Sequence, residues 1–292
     1  MSTVYQTKPI VSGKGLGARI LGVDLSHSLD DETFRLIERA YNENAVIVIP
    51  GQKLSPSQQI EFSRRFGPLK VNMLKQYLLP GHEEIIVISN VVENGKPIGQ
   101  ADAGHHWHTD ESYLAEPARG SILHALEVPV KDGEVLGDTR FTSTAEAYDA
   151  LPGSMKIRLA GLKAVHSWAG RYRNIKQTEG NKHLSDEDRK KIAPEVVHPV
   201  IRTHPVTGRK CIYVNPGFTI RIADMPQAES QALLDELWAH CQQPQFQYRH
   251  RWTVGDVVMW DNCAAWHFAI PDYQLPLRRR MHRTTTQGTR PF

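Results

Sequence analysis

The stretch HHWHTDESY, His105–Tyr113, puts three histidines and an aspartate into six positions. Imidazole and carboxylate are side chains that hold divalent metals, so this segment is a candidate metal site. If Trp107–Tyr113 is an extended strand, alternation turns His106, His108 and Asp110 to one face. Four strand residues cover roughly 13 Å, whereas ligand bonds run about 2 Å, so His106 and Asp110 cannot share an ion while the chain stays extended. Two pairings remain. His-x-His resembles a fragment of the metallohydrolase pattern His-x-His-x-Asp-His, with Glu111 in the last position, and would make a zinc-dependent hydrolase using His106, His108 and Asp110. His-x-Asp supplies one imidazole and one carboxylate and needs a second imidazole to complete the 2-His-1-carboxylate face used by non-haem Fe(II) oxygenases. His267, which follows GDVVMWDN (Gly255–Asn262), is the candidate for it. The chain carries 14 histidines, so the tripeptide needs support from its context.

That context is the basic run PLRRRMHR, Pro276–Arg283. In a strand through Arg278–Thr285, Arg279, Met281 and Arg283 share one face, while Arg278, Arg280 and His282 share the other. Two guanidinium groups beside a metal ligand are suited to gripping carboxylates through planar two-point hydrogen bonds, which fits an acidic co-substrate or substrate. The competing explanation is an edge strand that carries charge against aggregation.

The elements that must position these groups announce themselves by their ends. Ser55-Pro56-Ser57-Gln58 predicts a capped helix closing at Phe66-Gly67, and Ser143-Thr144-Ala145-Glu146 predicts a second, short one ending at Leu151-Pro152. Ala228, Leu233, Leu234, Leu237, Trp238 and Cys241 fall at near-helical spacing, giving one apolar stripe. Between them lie short β-rich runs at Ala45–Ile49, Glu84–Ser89, Ser121–Leu126, Lys210–Val214 and Asp256–Trp260, with Pro205-Val206-Thr207-Gly208 as a hairpin turn. Many short strands without βαβ alternation predict a mainly β protein with flanking helices, built as an antiparallel sandwich or barrel. No Gly-rich phosphate loop follows a strand, which argues against a nucleotide fold. His105, His106, His124, His166, His198, His204 and His240 are expected to be structural or surface groups.

Of the 292 residues, 40% are apolar and 23% charged, which predicts one ordered domain over residues 1–292, with core strands roughly within 84–292 and a helical part within 28–70. A net charge of +3 is too mild to predict nucleic-acid binding. No apolar run approaches the roughly 20 residues of a membrane span, and the N-terminus carries no secretory signal pattern, so a cytoplasmic protein is expected, with homo-oligomerisation left open. Cys211, Cys241 and Cys263 form no CxxC pair and are expected to be reduced and structural.

In this order along nearly the whole chain, several pieces resemble the taurine dioxygenase and 2,4-dichlorophenoxyacetate dioxygenase family of Fe(II)- and 2-oxoglutarate-dependent oxygenases. They are Gly51-Gln52 with the Ser55 helix, Phe66-Gly67-Pro68-Leu69, Trp107-His108-Thr109-Asp110, Gly137-Asp138-Thr139, Ala147-Tyr148 and Arg202-Thr203-His204-Pro205. Val214-Asn215, Gly217-Phe218, Trp260-Asp261-Asn262, His267 and the Arg279–Arg283 segment continue the series. The resemblance implies a double-stranded β-helix, or jelly roll, and gives the residues roles. His108, Asp110 and His267 would ligate Fe(II). 2-Oxoglutarate would chelate the iron, with its far carboxylate held by Arg279 and the Thr139 hydroxyl. Arg283 matches the arginine that meets the acidic group of the substrate, with Phe218 and, after His166, Trp168 and Tyr172 as apolar pocket walls. The implied reaction consumes O2, releases succinate and CO2, and hydroxylates a small anionic organic substrate such as an aryloxyacetate, alkyl sulfate or sulfonate. Lys70–Lys75 lacks the histidine that follows this turn in taurine-specific members, while Ile88-Ser89-Asn90 and Tyr248–Trp252 are closer to the aryloxyacetate branch.

Overall fold

The computed structural model describes residues 7–9, 16–168 and 194–292. Strand outweighs helix. The largest sheet has eight strands in the order Thr7–Pro9, Ala18–Ile20, Val46–Ile49, Val257–Asp261, Ala118–Glu127, Arg280–Gln287, His82–Ser89 and Leu78–Leu79. All pairings are antiparallel except Ala18–Ile20 with Val46–Ile49. A three-stranded sheet places Thr139–Ser143 between Gln247–His250 and Ala265–Ala269. A second three-stranded sheet, with Lys163–His166 between Val196–Pro199 and Thr219–Ile222, has no counterpart among the runs singled out in the sequence.

Alternation along the strands explains the layering. Val46, Val48, Ile86, Ile88, Leu123, Ala125, Val258, Trp260 and Met281 turn one face of the large sheet toward Phe141, Tyr248 and Ala265 of the small one. The intervening residues Ile47, Ile49, Ile122, Val257 and Met259 turn the other way and pack on Ile37, Ala40, Tyr41 and Phe62 of two helices. These helices are Asp31–Asn44, capped by the Asp30 carboxylate accepting from Thr33 N at 2.7 Å, and Pro56–Arg64. At the latter's start Ser55 and Gln58 form the reciprocal capping box that the sequence predicts. Gln59 then donates to the His282 carbonyl at 3.0 Å, and Ser63 shares a 2.6 Å hydrogen bond with Thr284. The helix thereby fixes the strand that follows Arg279. The Gln227–Cys241 helix buries Leu233, Leu234, Leu237 and Cys241 against the second small sheet and Trp266. The Pro205–Gly208 turn joins the paired Ile201–Thr203 and Lys210–Ile212 strands, as expected.

Three expectations are corrected or sharpened. Residues 107–113 are not a strand: only His108 pairs, in a single antiparallel bridge to His267. The basic run is not an edge strand, because Arg280–Gln287 lies between His82–Ser89 and Ala118–Glu127 with partners on both sides. The three cysteines are buried and unbonded to one another. No described helix is long and apolar enough to cross a membrane.

Candidate active site

His108 and His267 are brought together by backbone. His108 N donates to His267 O at 3.1 Å and His267 N to His108 O at 2.8 Å, so an irregular loop docks on the Ala265–Ala269 strand. Three residues after His108 the chain turns through Glu111, at φ 57°, with its carboxylate 2.5 Å from Lys70 Nζ. Asp110 stands just before this turn. Ligand atoms of His108, Asp110 and His267 all lie within 4.8 Å of one another, and all three residues are buried. Among the described residues this is the one such cluster.

The protonation pattern suits a cation. His108 Nδ1 is 2.8 Å from the His106 carbonyl, an acceptor, so Nδ1 carries the proton and Nε2 presents its lone pair. That lone pair faces Asp110 Oδ1, a second acceptor, at 3.6 Å, while His267 Nε2 stands 3.9 Å from the same oxygen. Burial and the neighbouring His108 push the His267 imidazole well below its usual range, which keeps it neutral and available as a ligand. Burial alone would raise the Asp110 carboxyl. The Arg283 guanidinium, 3.4 Å away, outweighs this and holds it well below the ordinary carboxylate range. Electron pairs converging on one point without a proton between them are reconciled by a divalent ion, and mixed nitrogen and oxygen donors suit iron or manganese.

A cavity beside the cluster is bordered by His108, His267, Thr139, Arg279 and Arg283 together with apolar Ile88, Leu123 and Trp260. Arg279 is 3% exposed and has no acidic partner among the described residues. Its guanidinium lies 5.7 Å from the Trp252 ring and 6.0 Å from that of Tyr273. Burial draws the pKa of this group down. Gly137, at φ 73°, makes the packing feasible, since a Cβ there would meet the Tyr273 ring at 2.9 Å and Arg279 Cδ at 3.3 Å. Thr139 Oγ1 accepts from the Trp252 indole at 3.0 Å, so its own proton is free to point toward an acceptor.

The structure therefore gathers His108, Asp110, His267, Thr139, Arg279 and Arg283 into one region. Phe218 is not among the residues bordering the cavity. It packs edge-on against His106, His108 and Tyr113, with ring centroids 5.7, 5.8 and 4.8 Å away. Tyr172 lies outside the described residues. His106 is excluded from the cluster and stacks on His108 instead, with centroids 4.7 Å apart, which removes the basis for a zinc hydrolase on His106, His108 and Asp110. Sequence reasoning missed Ser121, which donates to Asp110 Oδ2 at 2.7 Å, and the hydrogen-bonding role of Asn262, whose Oδ1 accepts from Asp110 N at 3.1 Å. Their only sequence signal is membership of the strands and turn around the site.

Known proteins give the same picture. Residues 6–285 match the model of the Taurine catabolism dioxygenase TauD, TfdA family. The chain is 38% identical over 280 residues to the alpha-ketoglutarate-dependent 2,4-dichlorophenoxyacetate dioxygenase of Cupriavidus pinatubonensis, covering 92% of this chain and 93% of that one. It is 35% identical over 268 residues to pentalenolactone F synthase of Streptomyces avermitilis, covering 88% and 86%. The solved structure of AAD-2 in complex with Mn(II) and N-oxalylglycine superposes with a TM-score of 0.81 at 28% identity, covering 99% of both chains. The chain belongs to the TauD/TfdA family and is a 2-oxoglutarate-dependent dioxygenase.

Proposed function

We propose that the protein uses Fe(II), 2-oxoglutarate and O2 to hydroxylate a small anionic organic substrate, an aryloxyacetate-like carboxylate or an alkyl sulfate- or sulfonate-like acid, with release of succinate and CO2. The observation that carries this reading is Arg279, a buried guanidinium with no acidic partner among the described residues, opening on the same cavity as two imidazoles of the cluster. A buried cation without a counter-charge is costly, and an anionic ligand relieves it. The far carboxylate of 2-oxoglutarate has the charge and planar geometry that a guanidinium binds through two hydrogen bonds, and the Thr139 hydroxyl supplies a further donor. His108, Asp110 and His267 are the residues that would hold the metal. Iron bound there would supply the centre at which the oxo-acid and O2 meet.

The chain's own groups do the remainder. Asp110 stays ionised and His267 neutral, so no proton competes with the ion. Arg283 is half-buried beside Asp110, and in this reading its guanidinium meets the acidic group of the substrate. Ile88, Leu123 and Trp260 wall the cavity with apolar surface, which excludes water and suits the organic part of the substrate. The two facing sheets fit a double-stranded β-helix, read here as the core of one domain spanning the chain.

An anaerobic titration with Fe(II) and then 2-oxoglutarate, followed by the visible charge-transfer absorption of the chelate, tests the site. Succinate release over a panel of aryloxyacetates, sulfonates and alkyl sulfates tests the substrate class. Wild-type protein is expected to form the chelate and to turn over at least one of these acids, and Asp110→Ala to do neither. Retention of iron and turnover by Asp110→Ala, or turnover of the panel without O2, would remove the reading.

A further inference from the structure

Asp110 is held at both its backbone and its carboxylate by one closed set of hydrogen bonds. Ser121 Oγ donates to Oδ2 at 2.7 Å. Asn262 Nδ2 donates to Ser121 Oγ at 3.3 Å, and Asn262 Oδ1 accepts from Asp110 N at 3.1 Å, which completes the ring. Thr109 Oγ1, one residue before Asp110, donates to the Asn262 carbonyl at 2.7 Å. Every member is buried. Ser121 sits in the middle of the large sheet, opposite Trp260 on one side and Thr285 on the other, and Asn262 directly follows the Val257–Asp261 strand. Central strands therefore dictate the orientation of a carboxylate that itself stands on an irregular loop.

The two carboxylate oxygens are left in different states. Oδ2 is taken by the serine. Oδ1 is the oxygen that faces the imidazole nitrogens of His108 and His267, at 3.6 and 3.9 Å, with Arg283 Nη1 beside it at 3.4 Å. A carboxylate that rotated to present both oxygens would occupy two coordination positions instead of one. A six-coordinate ion with two imidazoles and one carboxylate oxygen keeps three positions, enough for a bidentate oxo-acid and one molecule of O2. A second Asp110 oxygen would use the last of them.

We infer that Ser121, braced by Asn262, is a positioning residue that restricts Asp110 to one ligand oxygen and so keeps a coordination position open. The inference rests on the metal-binding reading given above. Its test separates the two, because wild-type protein must first bind metal and 2-oxoglutarate. If it does not, that reading fails, whatever Ser121 does. The probes are Co(II), whose ligand number is read by X-ray absorption, and nitric oxide, which occupies the O2 position of the anaerobic Fe(II)–2-oxoglutarate complex. Ser121→Ala is expected to bind Co(II), to show one more oxygen donor than wild type, and to bind nitric oxide about 10- to 100-fold more weakly, the size of effect that outer hydrogen bonds have on metal sites. Ser121→Cys, of similar volume and with a weaker donor, should shift both readouts in the same direction by less, and it replaces the alanine variant should that fail to fold. Unchanged ligand number and nitric oxide affinity in the alanine or the cysteine variant would overturn the inference. Loss of Co(II) binding altogether would also overturn it, since the hydroxyl would then be needed for ligation itself and not to restrict it.

Discussion

Asp110 and Arg279 are both buried charges near one cavity, and their surroundings differ in kind. Asp110 is enclosed by donors: Ser121 at one oxygen, Arg283 at the other, and Asn262 bracing the serine and the backbone. Arg279 is enclosed by aromatic faces and a phenol, with its Nε unpaired and no carboxylate in reach among the described residues. The first arrangement fixes the orientation of the carboxylate before any ligand arrives, as a ligand that must keep one geometry requires. The second leaves a charge uncompensated, and the binding of an anion is what completes it. Stability is therefore concentrated at the metal end and deferred at the carboxylate end, a division in line with pre-organised chemistry and reversible co-substrate binding.

Replacing Arg279 by Met puts the sharpest question to this contrast. Truncating one partner of a buried charge pair costs roughly 2–5 kcal/mol of binding, so calorimetric affinity for 2-oxoglutarate should fall by at least about 30-fold. The ligand-free protein should melt at the same temperature or higher, because an unpaired buried guanidinium is replaced by an apolar chain of similar length. A drop in the melting temperature of the ligand-free variant would mean that Arg279 already has a compensating partner and that the two ends are alike.

The converse applies to Asp110→Ala. Its ligand-free form should lose about 1–3 kcal/mol in denaturant unfolding, since the Ser121 hydroxyl and the Arg283 guanidinium are left without their carboxylate acceptor. A variant as stable as wild type before metal is added would show that the hydrogen-bond ring contributes nothing to the fold.

Titration separates these groups from the background. His166 and His267 are buried and their pKa values lie well below the ordinary range, while that of His282 is drawn down to about 4. Each is neutral in the fold but takes up a proton on unfolding below about pH 6.5, so its stabilising contribution is present above that pH and is lost as the pH falls toward the folded value. Asp110 works in a lower window: its pKa is depressed, so its contribution is complete above the unfolded carboxylate value near 3.9 and is lost below it. Metal-free protein should therefore weaken between pH 6.5 and 4, at up to about 1.4 kcal/mol per pH unit for each of these histidines. His282→Leu should make the slope shallower by up to that amount, as read from denaturant midpoints. An unchanged slope would show that His282 does not titrate in this window.

How much of this was legible in the sequence depended on range. Alternation across Arg279, Met281 and Arg283 needs no knowledge of the rest of the fold, and the two arginines do border one cavity. The helix starts at Ser55 and Ser143 were readable because a cap is a local hydrogen bond. Alternation failed at Trp107–Tyr113, where the left-handed turn at Glu111 and the single bridge at His108 leave no strand. Types and spacing pointed to His108 and Asp110, but their geometry comes from His267 and Asn262, far along the chain. Ser121 was unreadable for the same reason, since nothing distinguishes it until sheet register sets it opposite Trp260. Aromatic character alone does not reveal which surface the Phe218 ring faces, and its contact with the His108 ring is set by the fold.

The smallest expected effect sharpens the contrast within the basic run itself. Arg278 is the immediate neighbour of Arg279, yet it stands half-exposed with Nε 2.8 Å from Glu127, and its side chain keeps 49% of its surface. Water screens such a pair and holding two long side chains in register costs entropy, so Arg278→Ala should change stability by no more than about 1 kcal/mol. Affinity for 2-oxoglutarate should stay within about twofold of wild type, since one step along the chain turns the guanidinium away from the cavity. Arg279→Met and Arg278→Ala, at adjacent positions, then differ by more than an order of magnitude in ligand binding. A large loss at Arg278 would mean that the whole run acts as a diffuse positive field, and not through one buried group.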